Sequence, residues 1–359
     1  MAIYNPIEPG NLLQIKIAPP MRSCWITQDR SFFINELEQY EKLLILVDSK
    51  VQKYAETLFQ DLKAPSRIMV LDGGESLKHL DLVESLSESA VDFLNRKGAL
   101  IAVGGGALGD LAGFLASILF RSIPCYLIPT TLLSMVDAAI GGKTAINLKK
   151  GKNLLGTFSL PAGVLIDPGS LTSLPKEQWY AGFGEVLKTS ILHSDDFFQE
   201  VLEILEIWHP GINILPIIEQ CTRIKKAIVE DDFWELGKRK LLNLGHTVGH
   251  ALEAYYQYQV PHGICVWMGL ILEARLGRNL GLVDKDLWAS LESTSKYLPI
   301  PIFKDDPGVL IPFMERDKKN QAGRIVFIFM KRPGIVAKKD TYITELDSDV
   351  LEAYWEGNS

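Results

Sequence analysis

Three of the six histidines, His246, His250 and His262, fall within one short stretch of the chain. His246 and His250 stand at i and i+4, a spacing that puts both on one helix face. His262 follows Pro261, where a further helix would begin. Imidazoles grouped this way are candidate ligands for a divalent metal, although the same spacing also occurs on packed or solvated helices. A catalytic metal site would need a carboxylate as well, and Glu185 is the candidate. It sits in a helical stretch with Lys188 one turn on, an acid and a base on one face. His79, His193 and His209 lie outside this group and read as structural or surface residues.

A second chemistry is written in glycine. Gly104 to Gly109 reads G-x-G-x-x-G, after an apolar run and before a helical one. That context suits a pyrophosphate brought close to backbone at a helix N-terminus. No acid ends the next strand, which runs into Pro129, Thr130 and Thr131, but Asp48 ends an earlier one and could hold a ribose. The Gly-rich loop carries no G-x-x-x-x-G-K-[S/T]. Two further segments, Gly141-Gly142-Lys143-Thr144 and Gly151-Lys152-Asn153, set glycine beside lysine, which suits phosphate or carboxylate. Arg121, Lys225, Arg239 and the run Asp317-Lys318-Lys319 add positive charge to an acidic chain.

These residues need elements to hold them. In the first half, apolar runs at Leu43–Val47, Ile68–Leu71, Ala99–Val103 and Cys125–Ile128 alternate with helical spacing at Gln52–Leu62, Leu80–Asn95 and Asp110–Phe120. Alternating β and α units predict a parallel sheet with helices on both faces, and apolar runs without alternation fit strands buried on both sides. From about Pro175 helical periodicity dominates, at Trp179–Leu192, Phe197–Glu206, Ile217–Glu230, Leu241–Tyr256 and Gly263–Leu280, with a β-like stretch at Arg324–Met330. The expected architecture is a Rossmann-like α/β domain over 1–170 and a mainly α-helical domain over 171–359, divided near the turn-rich Asp167–Leu174.

Composition narrows the classes. The chain has 359 residues, 47% hydrophobic and 23% charged, a globular balance with room for two domains. A net charge of −7 and the absence of a long Lys/Arg run argue against nucleic acid as a partner. Ala99 to Phe120 is nearly all apolar, but its glycines and Asp110 are out of place in a membrane span. Cys24, Cys125, Cys221 and Cys265 form no CxxC pair and read as buried free thiols of a reducing cytoplasm. The opening MAIYNPIEPGNLLQIK lacks a basic region followed by an apolar one, so no secretory signal is expected.

Taken together, GGGALGDLAGF, IPTTLLSMVDAAIGGKTAIN, GKNLLGTF, GFGEVLKTS, LLNLGHTVGH and PHG resemble the dehydroquinate synthase family, in its order and at compatible spacing, over roughly Gly73 to Gly269. A weaker echo follows at DKKNQAGRIVF. The resemblance implies that Glu185, His246 and His262 bind one divalent metal, usually zinc with cobalt as an alternative, while His250 contacts substrate. It implies NAD against Asp48, Glu75, Lys78, Gly105, Gly106, Asp110, Thr130, Thr131 and Asp137, with Lys143 and Lys152 near both cofactor and substrate. Lys143, Lys152, Asn153, Lys188, Lys225, Arg239, Asn243 and one of Lys318 or Lys319 would hold the substrate's carboxylate, hydroxyls and phosphate, beside Glu235. Arg121 would reach the phosphate of a neighbouring subunit, which implies a homodimer.

The implied reaction turns 3-deoxy-D-arabino-heptulosonate 7-phosphate into 3-dehydroquinate and phosphate. Its steps are transient oxidation by NAD, phosphate elimination, reduction, ring opening and an internal aldol. A sister sugar-phosphate cyclase such as 2-deoxy-scyllo-inosose synthase is the nearest rival. A metal-dependent polyol dehydrogenase and a non-catalytic nucleotide-binding protein stand further off. The chain departs from the family pattern in its first forty residues. It also departs at Phe183-Gly184, where the family ends this stretch in Ala, at Thr189-Ser190 in place of Tyr-Gly, and at Ile264 in place of an acid.

Overall fold

A computed structural model describes residues 13–15, 23–27, 30–304, 307–315 and 324–355. By its contacts the chain separates into two compact units, Met1–Leu174 with Ile214–Lys226, and Pro175–Asn213 with Ala227–Ser359.

The first unit is built on β1 (Leu13–Ile15), β2 (Ser23–Ile26), β3 (Leu43–Asp48), β4 (Ser66–Leu71), β5 (Ala99–Gly104), β6 (Cys125–Pro129), β7 (Lys143–Leu148), β8 (Gly151–Phe158) and β9 (Gly163–Ile166). Seven of these form one sheet in the order β1-β2-β9-β6-β5-β3-β4. All its neighbours pair in parallel except β1 with β2. Helices α1 (Ser31–Leu37), α2 (Gln52–Leu58), α3 (Leu80–Val91) and α4 (Gly106–Ile118) pack around it. The expected parallel sheet is therefore present, and its middle strands explain the unbroken apolar runs, since every residue of β5 and β6 is buried. Leu43, Ile45, Val47, Ile101 and Val103 share a core with Phe33, Leu37, Ala55 and Leu58. From β3 the chain order departs in both directions, to β4 on one side and to β5 and β6 on the other. Such a reversal opens a crevice at the carboxyl ends of the strands, where doubly wound sheets bind ligands.

Two features differ from the periodicity. The helix expected from Asp110 begins at Gly106, because Gly104 ends β5, Gly105 alone links strand to helix (φ −76°, ψ −178°) and Gly106 and Gly109 are already helical. The Gly-Lys segments each open one arm of an antiparallel hairpin, Gly141 and Gly142 leading into β7 and Gly151 starting β8. Their glycines mask the strand pattern, and most of β8 is exposed.

The second unit holds α5 (Lys176–His193), α6 (Asp195–Ile207), the end of α7 (Leu215–Asp231), α8 (His246–Tyr255), α9 (His262–Asn279), α10 (Lys285–Ser293), α11 (Ile311–Glu315) and α12 (Ser348–Trp355). The strands β10 (Arg324–Phe327), β11 (Met330–Arg332), β12 (Ile335–Val336) and β13 (Thr344–Asp347) form two small antiparallel pairs. The helix expected over Leu241–Tyr256 is interrupted. A tight turn over Lys238–Asn243 ends at Gly245, whose φ of +75° stops one helix and lets α8 start at His246. No helix among the described residues is long and apolar enough to cross a membrane.

Candidate active site

Within the first unit, polar groups gather at the strand ends. Asp48 closes β3, and its side chain accepts the Lys50 N–H at 3.0 Å. A Cβ at Gly73 would lie 1.8 Å from Asp48 Oδ2, so any other residue there would push this carboxylate aside. Gly104, Gly105 and Gly106 line a small depression with Pro129 and Ser134. Added Cβ atoms at Gly105 and Gly106 would stand 3.3 Å from Thr131 Cγ2 and 3.2 Å from Ala138 Cβ, so bare backbone is what this turn offers a ligand. The Thr130 N–H donates to the Gly104 carbonyl at 3.0 Å, tying β6 to the same turn.

Beside that turn lies a charged network. Buried Lys78 donates to Asp110 Oδ2 at 2.7 Å and to Asn153 Oδ1, with Glu75 Oε1 at 3.5 Å. Asn147 donates to Glu75 at 2.8 Å and accepts the Asn153 N–H at 2.9 Å. Burial raises the Asp110 carboxyl above its ordinary value, against the pull of Lys78. Lys225, on the part of α7 that belongs to this unit, donates to the Asp137 carbonyl at 2.6 Å and pairs with its carboxylate at 2.8 Å. Lys143 and Lys152 sit on the hairpin, the first exposed and the second half-buried. Arg121 is exposed on the turn after α4, where Phe120, Arg121 and Ser122 have φ of 49°, 68° and 93°.

Within the second unit, Glu185, His246 and His262 bring one ligand atom each within 4.8 Å of one another. Glu185 Oε1 lies 3.7 Å from His246 Nε2 and 3.3 Å from His262 Nε2. The opposite ring nitrogens face groups that can only accept a proton: His246 Nδ1 is 3.0 Å from the Leu244 carbonyl and His262 Nδ1 2.9 Å from Glu253 Oε2. A neutral imidazole that donates from Nδ1 to these closer acceptors turns its Nε2 lone pair toward Glu185. With both rings neutral in this form, three electron-pair donors converge, which is the donor set of a divalent cation. Burial alone would raise the Glu185 carboxyl, but Lys188 beside it, with His262, holds it well below the usual carboxylate range. Burial alone would likewise lower the His262 imidazole, yet Glu253 and Glu185 push it up to about 10. Without a cation, a proton takes its place.

Glycines allow this convergence. A Cβ at Gly184 would fall 1.9 Å from the Gly263 carbonyl oxygen, and one at Gly263 would fall 1.8 Å from that of Ala181. Helices α5 and α9 therefore touch backbone to backbone next to Glu185 and His262. Gly184, where the chain departs from the family pattern, lies at this contact. A Cβ at Gly269 would lie 2.1 Å from the Gly245 carbonyl oxygen, closing α8 onto α9 in the same way. Buried Glu273 accepts the N–H groups of Gly245 at 3.1 Å and Val248 at 2.9 Å, so a carboxylate from α9 caps the helix that presents His246.

His250 sits 5.4 Å from His246 and 5.8 Å from His262, ring to ring. Arg239 is buried and donates to the Phe233 carbonyl at 2.6 Å. Asp232 shapes its turn by accepting the N–H groups of Leu236, Gly237 and Arg239. Asn243 donates to Glu235 Oε1 at 2.9 Å. Lys318 and Lys319 lie outside the described residues. Residue reasoning missed Asn147, Glu253 and Glu273. The signal for Glu253 was the i, i+7 spacing from His246, which places it on the ligand-bearing face of α8.

Residues 68–181 match the family described as 3-dehydroquinate synthase N-terminal, and residues 182–320 the one described as 3-dehydroquinate synthase C-terminal. A 3-dehydroquinate synthase of Alkaliphilus metalliredigens is 37% identical over 82% of this chain and 85% of its own. One from Synechococcus sp. is 34% identical over 98% and 99%. Among solved structures, 2-deoxy-scyllo-inosose synthase complexed with carbaglucose-6-phosphate, NAD+ and Co2+ superposes with a TM-score of 0.85, at 28% identity, covering 97% of this chain and all of the other. The 2-epi-5-epi-valiolone synthase of Streptomyces hygroscopicus, with NAD+ and Zn2+ bound, gives a TM-score of 0.76 at 22% identity over 92% and 94%, a likeness of fold.

Proposed function

The chain belongs to the 3-dehydroquinate synthase family, and on that premise we propose a division of labour among its residues. The enzyme converts 3-deoxy-D-arabino-heptulosonate 7-phosphate into 3-dehydroquinate and phosphate by transient NAD-dependent oxidation, elimination, reduction, ring opening and intramolecular aldol closure. It is a carbon–oxygen lyase of a small sugar-phosphate substrate, using NAD and one divalent metal ion. The observation that carries the reading is the convergence of Glu185 Oε1 with the Nε2 atoms of His246 and His262. When bound, a divalent cation such as zinc or cobalt supplies Lewis-acid polarisation of an alcohol, and NAD supplies a reversible hydride acceptor.

In this reading Glu185, His246 and His262 hold the metal, and Lys188 keeps Glu185 ionised. Gly105 and Gly106 present backbone to the pyrophosphate, Asp48 accepts from the ribose hydroxyls, and Glu75, Lys78, Asp110, Thr130, Thr131 and Asp137 shape the rest of the NAD site. Lys143, Lys152, Lys188, Lys225, Arg239 and one of Lys318 or Lys319 offer positive charge to the carboxylate and phosphate. Asn153, Asn243 and Glu235 orient hydroxyls, and His250 with Lys152 moves protons among them. Arg121 serves a neighbouring copy in a homodimer. The four buried free thiols support a cytoplasmic location.

The likeness to 2-deoxy-scyllo-inosose synthase sets the discriminating test. Phosphate release is followed from the heptulosonate phosphate and from glucose 6-phosphate, with catalytic NAD, with and without chelator. Chelator-sensitive release from the heptulosonate alone, without build-up of reduced cofactor, is expected. Release from glucose 6-phosphate alone would move the protein to the sister reaction, and accumulating NADH would end the cyclase reading.

A further inference from the structure

We propose that Glu253 is a positioning residue for the metal centre, fixing the tautomer and ring plane of His262 from the helix that also carries His246. The inference rests on the assignment of Glu185, His246 and His262 as ligands. Glu253 lies on α8, buried to 6% exposure, with Oε2 2.9 Å from His262 Nδ1. A carboxylate at this distance can only accept, so the neutral ring that meets a cation gives its hydrogen to Glu253 from Nδ1 and turns the Nε2 lone pair toward Glu185, 3.3 Å away.

The chain between the two residues is shaped for this contact. Gln257 and Tyr258, with φ of 51° and 61°, turn it sharply, and the Tyr258 N–H donates to the Glu253 carbonyl at 2.7 Å. Pro261 then starts α9, so that His262 is its first residue. At Gly249 a Cβ would lie 3.2 Å from Val266 Cα, which keeps α8 and α9 close enough for the pair to meet. One helix thus supplies a ligand, His246, and the hydrogen-bond acceptor for the next ligand. A loose His262 would have to give up rotational freedom and choose a tautomer on binding a cation, and Glu253 removes both costs. His250, Glu253 and His262 also bring ligand atoms within 4.8 Å of one another, so a second cation there is the competing reading.

The test uses metal-stripped full-length protein titrated with Co2+, reading stoichiometry, affinity by chelator competition and the visible ligand-field bands. Glu253→Ala, Glu253→Gln and Glu185→Gln are compared with the parent chain. The expected result is one Co2+ per chain throughout the Glu253 series. Affinity falls about 10–100-fold in Glu253→Ala, with shifted bands, and less in Glu253→Gln, whose amide keeps an acceptor oxygen. Glu253→Gln preserves side-chain shape and carries the test if the alanine variant does not fold. Unchanged affinity and bands in a folded Glu253 variant would overturn the positioning role alone. Two Co2+ per parent chain, with one lost in the Glu253 variants, would make Glu253 a ligand and overturn it too. A parent chain that binds no Co2+, or a Glu185→Gln variant that binds it as tightly, would instead overturn the ligand assignment beneath the inference.

Discussion

The two units build their functional surfaces by different means. In the first, the candidate cofactor residues stand at the ends of parallel strands, where Asp48 and Gly104 close β3 and β5 and Thr130 follows β6. Much of what they offer is backbone, and the glycines there keep space for a ligand. In the second, the candidate ligands are side chains brought from α5, α8 and α9, with His246 and His262 each the first residue of its helix. The glycines there keep space for another helix. Gly105 and Gly184 therefore do opposite jobs, one leaving a crevice open and the other closing a contact. A crevice tolerates small changes in its walls, whereas a donor set tuned to one ion does not.

The comparison is tested most severely at its sharpest point. Glu185→Gln removes the anionic member of the donor set and leaves Lys188 buried without its carboxylate partner, both being 1% exposed. Turnover is expected to fall by on the order of a thousandfold or more. Chemical denaturation should show a stability loss of about 3–5 kcal/mol in the same variant. Full turnover in this variant would remove the metal centre from the reaction.

Gly184→Ala probes the closed contact without touching a ligand. The new methyl would meet the Gly263 carbonyl oxygen at 1.9 Å. Separation of α5 from α9 should cost about 1–3 kcal/mol of stability. It should also weaken Co2+ binding, measured by competition, while NAD binding by fluorescence stays unchanged.

Proton linkage gives a smaller effect with a fixed sign. In the metal-free protein His262 is pushed up to about 10, so below that pH it holds a proton that an incoming cation must expel. Metal affinity should rise by about tenfold per pH unit across neutral pH and level off near pH 10, with proton release in calorimetry run in two buffers. Binding without proton release would contradict the arrangement of Glu253, His262 and Glu185.

Gly105→Ala completes the series on the open side. Its Cβ has 3.3 Å to Thr131, a contact that a small adjustment relieves. Thermal stability should change by less than about 1 kcal/mol, while the dissociation constant for NAD rises severalfold and Co2+ affinity holds. A loss of metal binding here would mean that the two sites do not respond independently.

Sequence alone pointed to the parallel sheet, because short apolar runs such as Ala99–Val103 alternate with helical spacing and fit strands covered on both faces, and it marked the G-x-G-x-x-G turn by its place between strand and helix. It also supplied the ligand types, as His246, His250 and His262 grouped in one stretch with Glu185 as the candidate acid, and the family resemblance implied which of them serve. Only the tertiary structure decided how they combine. Spacing paired His246 with His250 as readily as with His262, whereas folding turned His246 toward Glu185 and set Glu253 behind His262. The break at Gly245, the β7–β8 hairpin and the packing of Ile214–Lys226 with the first unit are equally unreadable from local pattern. Periodicity reports which face of an element is apolar. It carries no record of which distant backbone that face meets, and here the meeting points are glycines, whose missing side chains leave no pattern to read.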